Sequence, residues 1–292
     1  MNINLIFGNR KSGTTLLARL IDSEYIYVGS SETNFHHLNK VKSITNNDEF
    51  SYEDIEKFFP SQLHSNEISL DQKKYKKIIM EKVRSIKSYH DYIILHLEAL
   101  IKGSNCNTNE KKAFFIKNVG EEPKIAINNF LKAFPDSKII SITRDPRFIL
   151  RAIINDRKKN NRPLNFNQKL RYVFEAYRSL NQQNALKHNN QIYTLKYEDL
   201  KDNHTQELKN IMQFCKLPFS KRNEVVTING NKTNTATHST ESDRGKVNFS
   251  SSKLYKNIGI VDLLIISFPK LIFVIISIYI FFNRSLKNLI NS

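Results

Sequence analysis

Tryptophan is missing from the 292 residues and cysteine occurs twice. Cys106 lies in a polar stretch and Cys215 on the apolar face of a helical pattern, so the chain has neither a disulfide framework nor the cysteine spacing of a zinc cluster. Acidic residues are also scarce: 28 Asp and Glu against 45 Lys and Arg give a formal net charge of +17. Such a balance favours polyanionic cofactors, acidic acceptors and anionic lipid surfaces. It would suit nucleic acid too, but helix-turn-helix, zinc-finger and aromatic RNA-binding patterns are absent. The run Lys73-Lys74-Tyr75-Lys76-Lys77 reads more simply as the solvated face of a helix. Glycine does not occur between Leu38 and Lys102. In that stretch Ile78, Ile79, Val83 and Ile86, then Tyr92, Ile93, Leu97 and Leu100, recur at helical spacing, which predicts two helices. Tyr89, His90, Tyr92 and His96 suit contacts to a sugar or phenol, but core packing and surface display explain them at least as well. No signal peptide precedes the first strand, which sets the expectation of a reducing cytoplasmic protein, and the length suits one large α/β domain with a small appendage.

The most informative segment runs from Phe7 to Leu17, Phe-Gly-Asn-Arg-Lys-Ser-Gly-Thr-Thr-Leu-Leu. Asn4 to Phe7 predict a short strand, and Leu16, Leu17, Leu20 and Ile21 share one face of a helix. Between them two glycines let the backbone approach an anion, while Ser12, Thr14, Thr15 and the helix N-terminus supply donors and positive potential. A nucleotide-hydrolysing loop of this kind carries lysine where Thr14 stands. Here the cation sits inside the loop, at Lys11.

Three further segments follow. Lys138 to Thr143 predict a buried strand, and Arg144-Asp145-Pro146-Arg147 lead into a helix with Ile149, Leu150, Ile153 and Ile154 on one face; Asp145 suits the N-cap and Pro146 the first turn. Phe114-Phe115-Ile116 predict a strand ending at Lys117, followed by a helix through Ile127, Phe130, Leu131 and Phe134. Tyr193 to Leu200 read as a strand, and Leu208, Ile211, Met212 and Cys215 as an amphipathic helix after it.

In this order, over residues 3 to 220, these segments resemble the sulfotransferases that use 3′-phosphoadenosine-5′-phosphosulfate (PAPS), nearer to the tyrosylprotein and bacterial type than to the cytosolic one. The resemblance implies an α/β fold of the P-loop type, three layers around a central, mostly parallel sheet. It implies that Arg10, Lys11, Ser12, Gly13, Thr14 and Thr15 hold the 5′-phosphosulfate, and that Arg144 grips the 3′-phosphate. Lys117 would lie by the bridging oxygen of the phosphosulfate, and Tyr197 and Ser252 would complete the cofactor site. Glu32 is the implied base for the acceptor, ahead of His36 and then His37. The implied reaction moves a sulfuryl group to a hydroxyl or amine of a carbohydrate, lipid or other small metabolite, with no metal. The chain departs from the family at Ala152, usually serine, at Asn118, where a proline is usual, and at Tyr255, near the usual tryptophan; Val28 to Phe35 hold one acidic residue in place of two. A cap and a packing contact are the favoured reading of Tyr197 and Glu198.

The sulfotransferase domain is expected over 1–256, with a helical acceptor-side insertion at about 38–110 and a polar loop, rich in Ser, Thr, Asn and Lys, at about 231–256. Residues 257–292 read as a hydrophobic tail. Its run Leu263 to Phe282 is interrupted by Pro269-Lys270 and flanked by Lys256, Arg284 and Lys287, which predicts membrane association at the inner, cytoplasmic face. A buried C-terminal helix is the alternative for that run. For the whole chain, the alternatives are a small-molecule kinase using ATP and a membrane-tethered anion-binding module.

Overall fold

The computed structural model describes residues 2–47, 49–59, 70–104, 109–228, 231–232, 260–268, 271–275 and 278. Ser252, together with Cys106, Arg244, Lys246 and Tyr255, lies outside them. Contacts group the described residues into two units, those of 1–143 with 186–249 and those of 144–185 with 250–292.

The first unit is built on five strands: β1 (Ile3–Gly8), β2 (Ile26–Glu32), β3 (Ala113–Val119), β4 (Ile139–Thr143) and β5 (Ile192–Lys196). All pair in parallel, in the order β2-β3-β1-β4-β5. Parallel strands need crossovers, and the crossovers cover both faces, which is why these strands read as continuous apolar runs rather than alternating ones. Side chains still alternate between two cores. Leu5 and Phe7 with Phe114 and Ile116 join one, on the side of α2 (Phe35–Thr45), α3 (Tyr52–Ile55), α4 (Gln72–Lys82), α5 (Tyr89–Gly103) and α6 (Pro123–Ala133). Ile6 with Phe115 and Ile142 join the other, beside α1 (Thr14–Ile21), α9 (Tyr197–Asp202) and α10 (His204–Phe214). The polar residue inside β1 is satisfied: Asn4, buried, accepts the Lys138 N–H at 2.8 Å and donates to Asn2 at 3.1 Å.

The two helices expected from the apolar spacing of Ile78 to Ile86 and Tyr92 to Leu100 are present as α4 and α5, α4 ending at Lys82. Ser88 and Asp91 form a reciprocal cap at the start of α5, satisfying N–H groups that the first helical turn cannot. Tyr92 and His96 are wholly buried in α5 and pack in the core, so the packing alternative holds for both. In α4, Tyr75 and Ile79 are buried while Lys73, Lys74 and Lys77 face solvent.

One element differs from its expectation. The strand read over Tyr193 to Leu200 stops at Lys196, and Tyr197–Asp202 are helical. Glu198 and Asp199 fall in the first turn, where carboxylates complement the exposed N–H groups. The small pair β6 (Thr227–Ile228) and β7 (Asn231–Lys232) is antiparallel.

The second unit contains α7 (Pro146–Lys159), most of α8 (Phe166–Leu186) and α11 (Ile260–Ser267). Asp145 caps α7 by accepting the Arg147 N–H at 2.8 Å, with Pro146 in the first turn, as its sequence suggests. Ile265 and Ile266 pack with Leu150, Ile154 and Val173. Asp262, buried beside them, pairs with Lys158 at 2.9 Å and Lys169 at 2.5 Å. Burial alone would raise its pKa; the hydrogen bonds from the two lysines outweigh that and hold it below the usual carboxylate value. Among the described residues no helix is long and apolar enough to cross a membrane.

Candidate active site

Between β1 and α1 the chain turns on residues 9–13. The Asn9 carbonyl accepts the Ser12 N–H at 3.1 Å, and the Asn9 side chain accepts the Arg10 N–H at 2.8 Å. Lys11 has φ 61° and Gly13 φ 104°, so the turn depends on left-handed backbone, which glycine adopts at little cost. A Cβ at Gly13 would also lie 2.4 Å from the Tyr197 ring. Tyr197, buried at the start of α9, therefore packs directly on the loop, and the two short motifs that suggested a site meet in space. At Gly8 a Cβ would lie 2.5 Å from Ser12 Oγ and 2.8 Å from the Ile142 carbonyl, so this glycine allows the loop to close over β4.

Two features suit the loop to an anion. Gly13 offers the first turn of α1 no side-chain cap, and Ser12, fully buried, has no hydrogen-bond partner for its Oγ. A buried hydroxyl without a partner is costly, and an anion in the loop would satisfy both groups.

Lys117 lies within β3 rather than at its end, and it is buried. Its Nζ donates to Thr15 Oγ1 at 3.2 Å, which brings the β3 lysine to the first turn of α1. Glu32 ends β2 in register with Lys117. Between Val28 and Glu32 the β2 strand advances four positions while β3 advances two, from Phe115 to Lys117, so an irregularity shifts Glu32 to the level of the lysine. Beside the Lys117–Thr15 pair opens a small recess, also lined by Arg19, Asp22, Thr227 and Ile228.

The two alternative bases differ in surroundings. The His36 side chain is 60% exposed, with Nδ1 3.6 Å from Glu121. His37 packs on Phe58, and burial, with a smaller contribution from His36, lowers its pKa to about 4, making it a weak base. Arg144 begins the second unit, and its guanidinium lies 5.7 Å from the centre of the Phe148 ring. Sequence reasoning missed Thr33, Asn118 and Glu121, which surround the Glu32–Lys117 pairing. Thr33 N–H donates to the Lys117 carbonyl at 2.8 Å, and Asn118 Nδ2 donates to the Thr33 carbonyl at 3.3 Å and to Glu121 at 2.7 Å. The one local sign of them is the position of Asn118 directly after the lysine.

Residues 5–221 match the protein family described as the sulfotransferase family. No curated protein matches the chain. Among solved structures it is similar to the sulfotransferase domain from the curacin biosynthetic pathway, with 16% identity, 77% of each chain covered and a TM-score of 0.52. It is also similar to the sulfotransferase domain from the Synechococcus PCC 7002 olefin synthase, with 14% identity, 83% of this chain and 82% of that one covered, and a TM-score of 0.51. At such identities the likeness is one of fold.

Proposed function

Since the chain belongs to the sulfotransferase family, we propose that it takes its sulfuryl group from PAPS and passes it to a hydroxyl or amine of a carbohydrate, lipid or other small metabolite. The observation that carries this reading is the cradle at residues 8–15, with its partnerless buried Ser12 hydroxyl and its uncapped helix start, joined to Lys117 through Thr15. When bound, PAPS supplies the sulfuryl group and a phosphate that leaves with added negative charge. The chain's own groups do the rest. Ser12 Oγ and the N–H groups at the start of α1, with Arg10, Lys11, Thr14 and Thr15, hold the phosphate. Lys11 and Lys117 bring positive charge to where negative charge develops, as cationic clamps do in phosphoryl transfer. Glu32, level with Lys117 in the sheet, takes the proton of the acceptor.

Arg144 is assigned to the 3′-phosphate, because a guanidinium fork meets phosphate oxygens in two places at once. Tyr197 acts by packing on Gly13, which keeps the loop in its left-handed turn. Membrane association at a cytoplasmic face is part of the same proposal. It is supported by the exposed apolar residues Phe268, Leu271, Val274, Ile275 and Ile278 and by the basic excess of the chain.

Calorimetric titration with 3′-phosphoadenosine-5′-phosphate (PAP), ADP and ATP, with and without Mg²⁺, tests the donor. Tight binding of PAP alone, indifferent to Mg²⁺, is expected. Preference for ATP with Mg²⁺ would overturn the assignment.

A further inference from the structure

Glu121 stands in the turn between β3 and α6, and its side chain is only 7% exposed. Its Oε2 accepts the Phe35 N–H at 3.1 Å and the Asn118 amide at 2.7 Å, and its Oε1 accepts the His36 N–H at 3.2 Å. Phe35 and His36 are the first two residues of α2, whose own N-cap, Asn34, makes no side-chain cap. Asn34 instead points its amide at the Val119 carbonyl, at 3.5 Å. A carboxylate some 85 residues away in sequence thus does the work of the helix cap, and it complements the positive end of α2 while doing so.

The consequence reaches the reacting groups. Thr33, immediately after Glu32, donates its N–H to the Lys117 carbonyl at 2.8 Å, and its own carbonyl accepts from the Tyr89 hydroxyl at 2.8 Å and from Asn118 at 3.3 Å. Asn118, fully buried, bridges Thr33 and Glu121. Through the cap and Asn118, Glu121 fixes both ends of the turn that joins Glu32 to α2. We infer that Glu121 is a positioning residue for sulfuryl transfer, holding the Glu32–Asn34 segment against Lys117. Both its oxygens already accept hydrogen bonds, so its task is geometry and not proton removal. This inference rests on the reading of Glu32 and Lys117 given above.

The test compares the whole protein with Glu121→Ala and Glu121→Gln. Three measurements are made: PAP affinity by calorimetry, backbone hydrogen exchange over residues 26–38, and release of PAP from PAPS with 2-naphthol as probe acceptor. In Glu121→Ala the amides of Thr33, Phe35 and His36 should exchange at least ~10-fold faster, since their partner or its anchor is gone. PAP affinity and the KM for PAPS should stay within about twofold while kcat falls on the order of 10²-fold, the cost of misplacing reacting groups by about an ångström. Glu121→Gln keeps an acceptor oxygen, so its kcat should lie between the other two, and the acidic limb of its pH profile should persist. Wild-type exchange in Glu121→Ala would overturn the inference, as would loss of the acidic limb in Glu121→Gln, which would make Glu121 the base. Failure of the wild type to bind PAP would sink the proposed donor, yet the exchange measurement would still read the clamp. Should the alanine variant not fold, Glu121→Gln alone decides by the same measures.

Discussion

Lowering the pH from 7.5 to 5.0 should destabilise the first unit through His96. This residue is 1% exposed, its Nδ1 lies 3.1 Å from the Tyr75 hydroxyl, and Phe59 and Tyr92 pack on its ring. Burial, with a smaller contribution from His37, lowers its pKa from 6.5 to about 3. The unfolded chain therefore takes up a proton below pH 6.5 that the folded chain refuses. The stability linked to His96 is complete above pH 6.5 and is lost as the pH falls toward the folded value. At pH 5.0 the folded imidazole is still neutral, so the loss is set by the 1.5 units below the ordinary value, about 2 kcal/mol. Against a total of roughly 5–15 kcal/mol for a typical domain, that is a substantial share. Urea denaturation at both pH values, on the wild type and on His96→Gln, measures it. Glutamine can still hydrogen-bond the Tyr75 hydroxyl but does not titrate, so the pH-dependent loss should shrink by about 2 kcal/mol in the variant. An equal loss in both proteins would refute the reasoning. His37, its pKa lowered to about 4, acts in the same direction over pH 6.5 to 4.

Lys11→Ala should lower turnover by at least ~10²-fold, as losing one transition-state donor does, while the melting temperature barely changes; steady-state rates and thermal unfolding check both halves. Arg144→Ala should weaken PAP binding by roughly 1.5–3 kcal/mol and leave ADP affinity nearly unchanged, and calorimetry with both ligands separates a 3′-phosphate contact from a general disturbance. The full chain should partition with anionic vesicles, and a chain ending after Phe268 should not, while still binding PAP. A chain ending at Lys256 should be less stable than either, because it loses Asp262, Ile265 and Ile266 from the second unit, and denaturant midpoints of the three chains rank them.

The sequence by itself determined the elements whose information is local. Runs such as Leu5-Ile6-Phe7 and Ile139-Ile140 had to be strands of a sheet covered on both faces, because so few polar groups interrupt them. The Asn9–Thr15 turn had to join a strand to a helix start, because its glycines and the following helix are contiguous in the chain. Asp145 and Pro146 set the start of α7 for the same reason. Tertiary structure decided whatever depends on residues far apart. The bond from Lys117 to Thr15 spans 102 positions, and the cap from Glu121 to α2 spans 86 at Phe35; no periodicity reports either. The helix starts at Tyr197, inside the segment whose pattern predicts strand as far as Leu200, and the packing of Tyr197 on Gly13 is a contact only the fold creates. The hydrophobic run near the C-terminus is divided in the same way: its composition is apolar on both sides of Pro269-Lys270, but only the fold packs Ile265 and Ile266 with Leu150, Ile154 and Val173 while Phe268 and Leu271 face outward. Pattern specifies which segments seek an apolar or anionic partner; which partner each one finds is set by the sheet order and by the electrostatics of side chains that the chain itself holds apart.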